Sequence, residues 1–558
     1  MILQPLLDLA ATCAQYGIKH AILSPGSRCA PITLAFVRHP EIQCKTISDE
    51  RSAAFIALGM AQQLEKPVVL VCTSGSAALN YAPAVAEAYF QQIPLLVLTA
   101  DRPPEWIDQW DGQTIRQHNL YGTHVKNSFQ FPDDFGHPDK AWHAKRIVNE
   151  AILSATAYPQ GPVHINIPLR EPFYPEKDQI FQYPSLTSTM DHLEKASSLT
   201  SETWIKIRSA LSKYNKILIV PGQQRPNEAI QEQLQQLTIK KAAVVVTDVI
   251  SNLQAEGTIS FHDHFLPVDV VEKKMAPDLI ISFGKSVISK NLKLFLRKSD
   301  AMHWHLQPEG YVPDTFKRGV QTLACEPLMF LEFLNKEDKI SNEEFVQVWS
   351  VREEQVKYKL PSLLKNTDFG EYTAFSACFD QIPSDAKVHL ANSMAVRYAN
   401  LLGPRKQEII CNRGTSGIDG SNSTAVGCAF TTKDPVVLMT GDMAFFYDRN
   451  AFWHNYALPN LRIIVFNNHG GGIFRMINGP DKLPELEEYF ETKQLLNAGH
   501  LAKEYGFDYH LVDEKTELDQ VLSHFFQKTL KPKILEIKSE SQKNEQFFKE
   551  IKSKINKF

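Results

Sequence analysis

Short apolar, β-branched runs recur along the chain, and each is followed by a stretch whose apolar positions have helical spacing. The runs are Val68 to Thr73, Leu95 to Ala100, Val163 to Pro168, Ile217 to Val220, Val244 to Asp248, Leu279 to Phe283, Val388 to Ala391, Val436 to Thr440, Arg462 to Phe466 and Ile534 to Ile537. They are continuous rather than alternating, which predicts strands buried on both faces. The intervening helices then predict parallel sheets covered on each side. Two breaks divide the series: residues 174–202 are dominated by Pro, Ser and Thr, and residues 335–344 are charged and open a helical stretch. The expectation is three doubly wound, parallel-sheet α/β domains covering 1–180, 200–335 and 345–558. In such sheets ligands sit beyond the carboxyl ends of strands, so the loops there carry the chemistry.

Composition changes this picture only by exclusion. With 558 residues, 43% hydrophobic and 22% charged, the chain has material for several buried cores and is not a disordered or low-complexity protein. A net charge of −4 gives no overall basic field to recruit nucleic acid or an anionic membrane, so partners must be argued from local sites. No two of the eight cysteines have the spacing of a zinc or thioredoxin-like motif, which points to reduced, mostly buried thiols. The first eleven residues contain no Lys or Arg, and no apolar stretch approaches a membrane span. A soluble cytoplasmic protein without an integral membrane segment is expected.

The most informative loops follow two neighbouring strands near the end of the chain. Val436 to Thr440 leads into Gly441-Asp442-Met443-Ala444, and the next strand ends in Asn467-Asn468-His469-Gly470-Gly471-Gly472, with Asn468 standing 26 residues after Asp442. A carboxylate and a carboxamide at adjacent strand ends can offer hard oxygens to one small divalent cation that also binds phosphate oxygens. A helix starting at Asp442 adds N–H groups suited to a diphosphate. Taken singly, either half reads as a polar turn with glycines for backbone geometry. No G-x-G-x-x-G or G-x-x-x-x-G-K-[ST] string occurs, which disfavours a nucleotide site of the familiar kinds.

The pair resembles the motif of thiamine diphosphate-dependent enzymes, Gly-Asp-Gly followed some 25 residues later by Asn-Asn. The resemblance implies that Asp442, Asn468 and the Gly470 carbonyl coordinate Mg²⁺ or Mn²⁺. Met443 departs from it by replacing the second glycine. In the N-terminal third, Ser48-Asp49-Glu50-Arg51-Ser52 precedes a small-residue helix, and Thr73-Ser74-Gly75-Ser76-Ala77 follows the next strand. By capping logic alone, Asp49 and Glu50 stabilise a helix start. By resemblance to the family's decarboxylases and carboligases, Glu50 is the carboxylate that activates the cofactor and Ser74 lies beside it. The same resemblance orders the chain as pyrimidine-binding, middle and diphosphate-binding domains. It places the active site between subunits, implying a homodimer or a dimer of dimers.

Arginines stand near several strand ends: Arg28 in SPGSR at 24–28, Arg102 in LTADRPPE at 98–105, Arg397 after Asn392-Ser393, and Arg413 in RGTSGIDGS at 413–421. Each alone is an ordinary surface or ion-pair residue. Together they anticipate substrates carrying several carboxylates, because each guanidinium offers a planar donor fork. With SDERSAAF at 48–55, TSGSA at 73–77, GPVHINIPLREP at 161–172, GDMAFFYDRNA at 441–451 and NNHGGGIF at 467–474, these strings are most similar to the branch of the family that acts in menaquinone biosynthesis. That resemblance implies decarboxylation of 2-oxoglutarate and conjugate addition to isochorismate. It assigns carboxylate binding to Arg28, Arg102, Arg397 and Arg413, a place by the reacting centre to Gln113, and hydrogen bonding to substrate or cofactor to Ser393. Ile418 is the apolar wedge under the bent cofactor, and Lys290 is a middle-domain contact to isochorismate. The alternative is another thiamine diphosphate carboligase or 2-oxo acid decarboxylase. His469 is expected to be structural. The Lys-rich end, 538–558, is expected to form an amphipathic helix packed on its own domain, with a membrane-surface role as the other reading.

Overall fold

A computed structural model describes every residue except 1–2, 178, 186–188, 191–198, 267–271, 338–340, 478 and 557–558. Parts of both expected breaks, 174–202 and 335–344, lie outside the described residues, as does the very end of the Lys-rich segment.

The described strands form three parallel sheets. The first runs, across the sheet, Gln43–Thr46, His20–Leu23, Val68–Cys72, Leu95–Asp101, Val163–Pro168 and Ser128–Gln130. The second runs Val320–Leu323, Met302–Leu306, Leu279–Phe283, Ile217–Pro221 and Val244–Val245. The third runs Glu408–Ile410, Lys387–Leu390, Val436–Gly441, Leu461–Asn467, Lys533–Lys538 and Asp508–Val512. The two six-stranded sheets therefore share one strand order. In each, the first and third strands are neighbours and their crossovers leave in opposite directions, which opens a crevice at their carboxyl ends.

Apart from Val244 to Asp248, which gives the edge strand Val244–Val245, the apolar runs identified in the sequence are central strands, and Val68–Cys72 and Leu95–Asp101 are buried throughout. The edge strands Gln43–Thr46, Ser128–Gln130 and Asp508–Val512 fall outside those runs. An edge strand is covered less completely and tolerates polar residues, as in the half-exposed Gln-Cys-Lys-Thr of 43–46.

The first and third sheets are joined through two helices. Glu50–Leu64 crosses Ser421–Thr431 so closely that a Cβ on Gly59 would stand 2.1 Å from the Thr424 carbonyl oxygen, and one on Gly427 2.1 Å from that of Ile56. This contact explains the run of Ala and Gly after Glu50: larger side chains would force the helices apart and cost overpacking strain. The C-terminal helix Ser541–Asn556 buries Ile551 and Ile555, and Phe548 packs edge-on against Tyr372 and Tyr398. Its apolar stripe is thus satisfied by its own chain. All eight cysteines are free; seven are buried and Cys44 is half-buried. No described helix is long and apolar enough to cross a membrane.

Candidate active site

The crevice of the third sheet opens into a cavity of about 620 Å³. Of the sequence-derived candidates, it gathers Ser393, Arg397, Arg413, Ile418, Asp442, Met443, Asn468 and Gly470 along its walls. Ser393 follows the strand Lys387–Leu390, and Asp442 follows Val436–Gly441, so both stand at the switch between the two crossovers. Ser393 has φ +74°, an unusual conformation for a residue with a Cβ, immediately before the helix Met394–Leu401.

Asp442 is 2% exposed. Its Oδ2 accepts from Gln494 Nε2 at 2.7 Å and its Oδ1 from the Met443 N–H at 2.9 Å. Burial nevertheless lifts its carboxyl to about 6, against the hydrogen bonds from Gln494, Met443 and Gly470. Asn468 donates from Nδ2 to Glu371 Oε2 at 2.6 Å, while its Oδ1 is buried without a partner. A buried carboxylate that resists ionisation, next to a buried amide oxygen with no donor, is a pair that a small divalent cation satisfies. Among the described residues, no group of three or more His, Cys, Asp and Glu could hold a metal. A cation here therefore rests on mixed carboxylate, amide and carbonyl oxygens. Gly470 and Gly472 fit the same cradle: a Cβ on Gly470 would stand 2.9 Å from the Glu491 carbonyl oxygen, and one on Gly472 3.0 Å from Asn468 Nδ2.

Arg397 and Arg413 also line the cavity, and among the described residues neither has a carboxylate in ion-pair contact. Arg413 donates to Asn392 Oδ1 at 2.8 Å and leaves its buried Nε unpaired; Arg397 donates to the Ser393 carbonyl of its own helix. Arg397 opens onto the cavity yet is ringed by protein, and that burial together with the charge of Arg413 disfavours its protonated form. Asp263 offsets that only in part, and two guanidinium groups lining one cavity without a carboxylate in contact suit an anion. Lys293 of the helix Lys290–Lys298 adds to the same field, since Arg413 and Arg397 both lower its affinity for a proton after burial does. Lys290, at the start of that helix, is exposed.

The remaining candidates lie at the carboxyl edge of the first sheet and outside this cavity. Glu50 opens its helix behind Asp49, whose side chain caps Ser52 N–H at 3.0 Å; Glu50 is half-buried, and its proton affinity is raised by burial. Ser74 is 2% exposed with its hydroxyl unpartnered. Arg28 stacks over Phe173 at 4.7 Å and donates to the Leu169 carbonyl. Arg102 pairs with Asp111 at 3.0 Å and donates to Gly112 O and Thr114 Oγ1, so it ties down the loop that presents Gln113 at the surface. The four arginines are thus divided in one chain: two at the cavity, two holding loops of the first sheet. Sequence spacing assigned all four to strand ends but could not separate those ends in space.

Several supporting residues escaped the sequence reading. Asn392 donates to the carbonyls of Asn412 and Gly417 at 2.6 and 2.7 Å, knotting the Arg413 loop. Glu87, 1% exposed, accepts the N–H groups of Gly414 and Thr415 at 2.7 and 2.6 Å across the contact with the first sheet's helices. Arg475 grips Glu491 with two bonds of 2.7 and 2.6 Å, fastening the segment that walls the cavity. Each joins partners distant in sequence, so no local pattern marks them. A smaller cavity of about 200 Å³ at the junction of the three sheets is lined by six glutamines among sixteen residues. Its Arg225 is matched by Glu65 and Glu408, which leaves less unmet charge there.

Comparison with known proteins agrees with this geometry. The family model described as "Thiamine pyrophosphate enzyme, N-terminal TPP binding domain" matches residues 8–122, and "Thiamine pyrophosphate enzyme, C-terminal TPP binding domain" matches residues 392–537. The protein of Cytophaga hutchinsonii named 2-succinyl-5-enolpyruvyl-6-hydroxy-3-cyclohexene-1-carboxylate synthase is 47% identical over 99% of both chains. The chain belongs to the 2-succinyl-5-enolpyruvyl-6-hydroxy-3-cyclohexene-1-carboxylate synthase family. Synthases of the same name from Flavobacterium johnsoniae and Bacteroides fragilis are 37% and 34% identical, over 97% and 98% of both chains. Membership of this synthase family makes the chain a thiamine diphosphate-dependent transferase of menaquinone biosynthesis. The two cofactor-domain matches fall on the first and third sheets, the pair with the shared strand order.

Proposed function

We propose that the enzyme removes CO₂ from 2-oxoglutarate and joins the remaining four-carbon unit to isochorismate, giving the product for which its relatives are named. The observation that carries this reading is the cavity itself. It brings together a buried carboxylate, an unpartnered amide oxygen and two arginines that have no carboxylate in ion-pair contact among the described residues. That combination suits a cofactor with a cation-bound diphosphate together with carboxylated reactants.

In this reading Asp442, the Asn468 oxygen and the Gly470 carbonyl hold Mg²⁺ or Mn²⁺ with the diphosphate, and Met443 lines the same end. Ile418 is the apolar wedge that keeps the cofactor bent. Thiamine diphosphate, when bound, supplies the electron sink that lets the oxo-acid carbonyl carbon lose CO₂ and act as a nucleophile. Arg397 and Arg413 hold substrate carboxylates at the cavity, and Ser393 hydrogen-bonds substrate or cofactor. The backbone strain at Ser393 supports a placement fixed for function. From the first sheet, Glu50 exchanges a proton with the cofactor's aminopyrimidine nitrogen, its proton affinity already raised by burial. Ser74, Gln113, Arg28 and Arg102 complete that half, and Lys290 extends the cation field from the middle unit.

Because Glu50, Ser74, Gln113, Arg28 and Arg102 do not line the Asp442 cavity of their own chain, the reading assigns them to the cavity of a second copy. The proposed enzyme is a cytoplasmic homodimer, or a dimer of such dimers, with Glu50 of one copy facing the Asp442 cavity of another. Its proposed domains are 1–180, 200–335 and 345–558. Exposed Leu79, Phe90, Trp106 and Trp110 around the first sheet's loops support an interface there. The test is direct: purified protein with thiamine diphosphate, Mg²⁺ and 2-oxoglutarate consumes isochorismate, followed by its absorbance. Loss of isochorismate that does not depend on cofactor and 2-oxoglutarate contradicts the proposal.

A further inference from the structure

An asparagine offers oxygen or nitrogen to a site with equal ease unless its neighbours choose between them. At Asn468 they do. Nδ2 lies 2.6 Å from Glu371 Oε2, an oxygen that also accepts from Asn544 Nδ2, so the nitrogen faces Glu371 and Oδ1 is left unpartnered beside the cavity. Glu371 is itself fixed from outside the cavity. Its backbone N–H donates to Asn544 Oδ1 at 3.0 Å, and Asn544 Nδ2 donates back to Glu371 Oε2 at 3.0 Å and to Ser539 Oγ at 2.9 Å. Glu371 and Asn544 are each 4% exposed. Glu371 opens the helix Glu371–Gln381, whereas Asn544 belongs to the C-terminal helix Ser541–Asn556. A reciprocal pair between two helices therefore controls the rotation of a third side chain.

We propose that Glu371, locked by Asn544, is the positioning residue that turns the Asn468 amide so that its oxygen meets the divalent cation. The inference rests on the cation-site reading above. It gives the C-terminal helix a part in cofactor loading. Outer groups that orient a ligand commonly alter metal affinity by about 10–100-fold when removed. If the pair were only a clasp for the C-terminal helix, its loss would lower thermal stability and leave the cation dependence unchanged.

The test measures the Mg²⁺ concentration that gives half-maximal thiamine diphosphate binding, read as heat or tryptophan fluorescence, with no turnover involved. Glu371→Ala is expected to raise that concentration about tenfold or more, while Glu371→Gln, whose carbonyl can still accept from Asn468, stays within about threefold of the parent. If the alanine variant fails to fold, the near-isosteric Glu371→Met carries the same expectation. Asn544→Ala, which keeps the carboxylate but frees it, is expected to fall between the parent and Glu371→Ala. An unchanged Mg²⁺ dependence in Glu371→Ala or Glu371→Met overturns the proposal, as does a glutamine variant as weak as the alanine one. A parent chain that binds no cofactor at any Mg²⁺ concentration overturns the cation-site reading as well, so the two failures are distinguishable.

Discussion

The first and third sheets have the same strand order and the same crevice between their first and third strands, and the 620 Å³ cavity lies at the third. In the first sheet the crevice is closed by its own chain. A Cβ on Gly26 would lie 2.3 Å from Thr73 Cβ, and Gln117, 1% exposed, bridges the Gly75 N–H, the Ala100 carbonyl and Asn166. In the third sheet Asn392, Glu87 and Arg475 hold the surrounding loops back, and the polar atoms of Asn468 and Arg413 remain unmet. The topology provides a place for a ligand; the loops decide whether it is open. In the proposed reading the third sheet's half receives the cofactor and the first sheet's half supplies Glu50.

The sharpest way to break this division is at Glu50. Glu50→Gln is expected to lower turnover by about 10²-fold or more, with thiamine diphosphate binding within a few-fold of the parent, because in the proposed reading the residue moves a proton and does not hold the diphosphate. Equal losses in binding and turnover would place it on the receiving side. Asp442→Ala should show the opposite pattern, with Mg²⁺-dependent cofactor binding weakened by about two orders of magnitude in a calorimetric titration. Arg413→Ala tests the arginines of the cavity. Removing one charge-assisted contact worth about 2–3 kcal/mol should lower kcat/KM for a carboxylated substrate by about 30–160-fold, with cofactor affinity retained. Glu87→Gln is the mildest change. It weakens the hold on the Gly414 and Thr415 N–H groups, so a rise of a few-fold in substrate KM is expected, with a small drop in Tm. A variant with parental KM would show that the Arg413 loop is held well enough by Asn392 alone.

Much of the fold was legible because central parallel strands must be apolar on both faces, as Val68–Cys72 and Leu461–Asn467 are. The edge strands were not, since Gln43–Thr46 and Asp508–Val512 carry no such requirement. The cation-side candidates were legible for a related reason. Asp442, Asn468 and Ser393 stand at the ends of adjacent strands, where sequence order and spatial order coincide. Glu371, Glu87 and Asn544 had no such signal, because their partners are brought together only by helix packing: Glu371 meets Asn468 across 97 positions, and Glu87 meets Gly414 across 327. The division of the four arginines was hidden for the same reason. Their loops look alike in sequence, whereas only Arg397 and Arg413 border the open crevice.

The central claim is that one copy's Glu50 serves another copy's Asp442 cavity, and complementation tests it most directly. Glu50→Gln and Asp442→Ala chains, each inactive alone, are co-expressed with different tags, and the doubly tagged species is isolated and assayed. In a two-fold dimer of this kind, each mixed pair carries one site with both substitutions and one with neither. The isolated mixed species is therefore expected to recover about half of the parental activity. Mixed dimers that form and remain inactive would contradict the account and place Glu50 and Asp442 in one chain's own site.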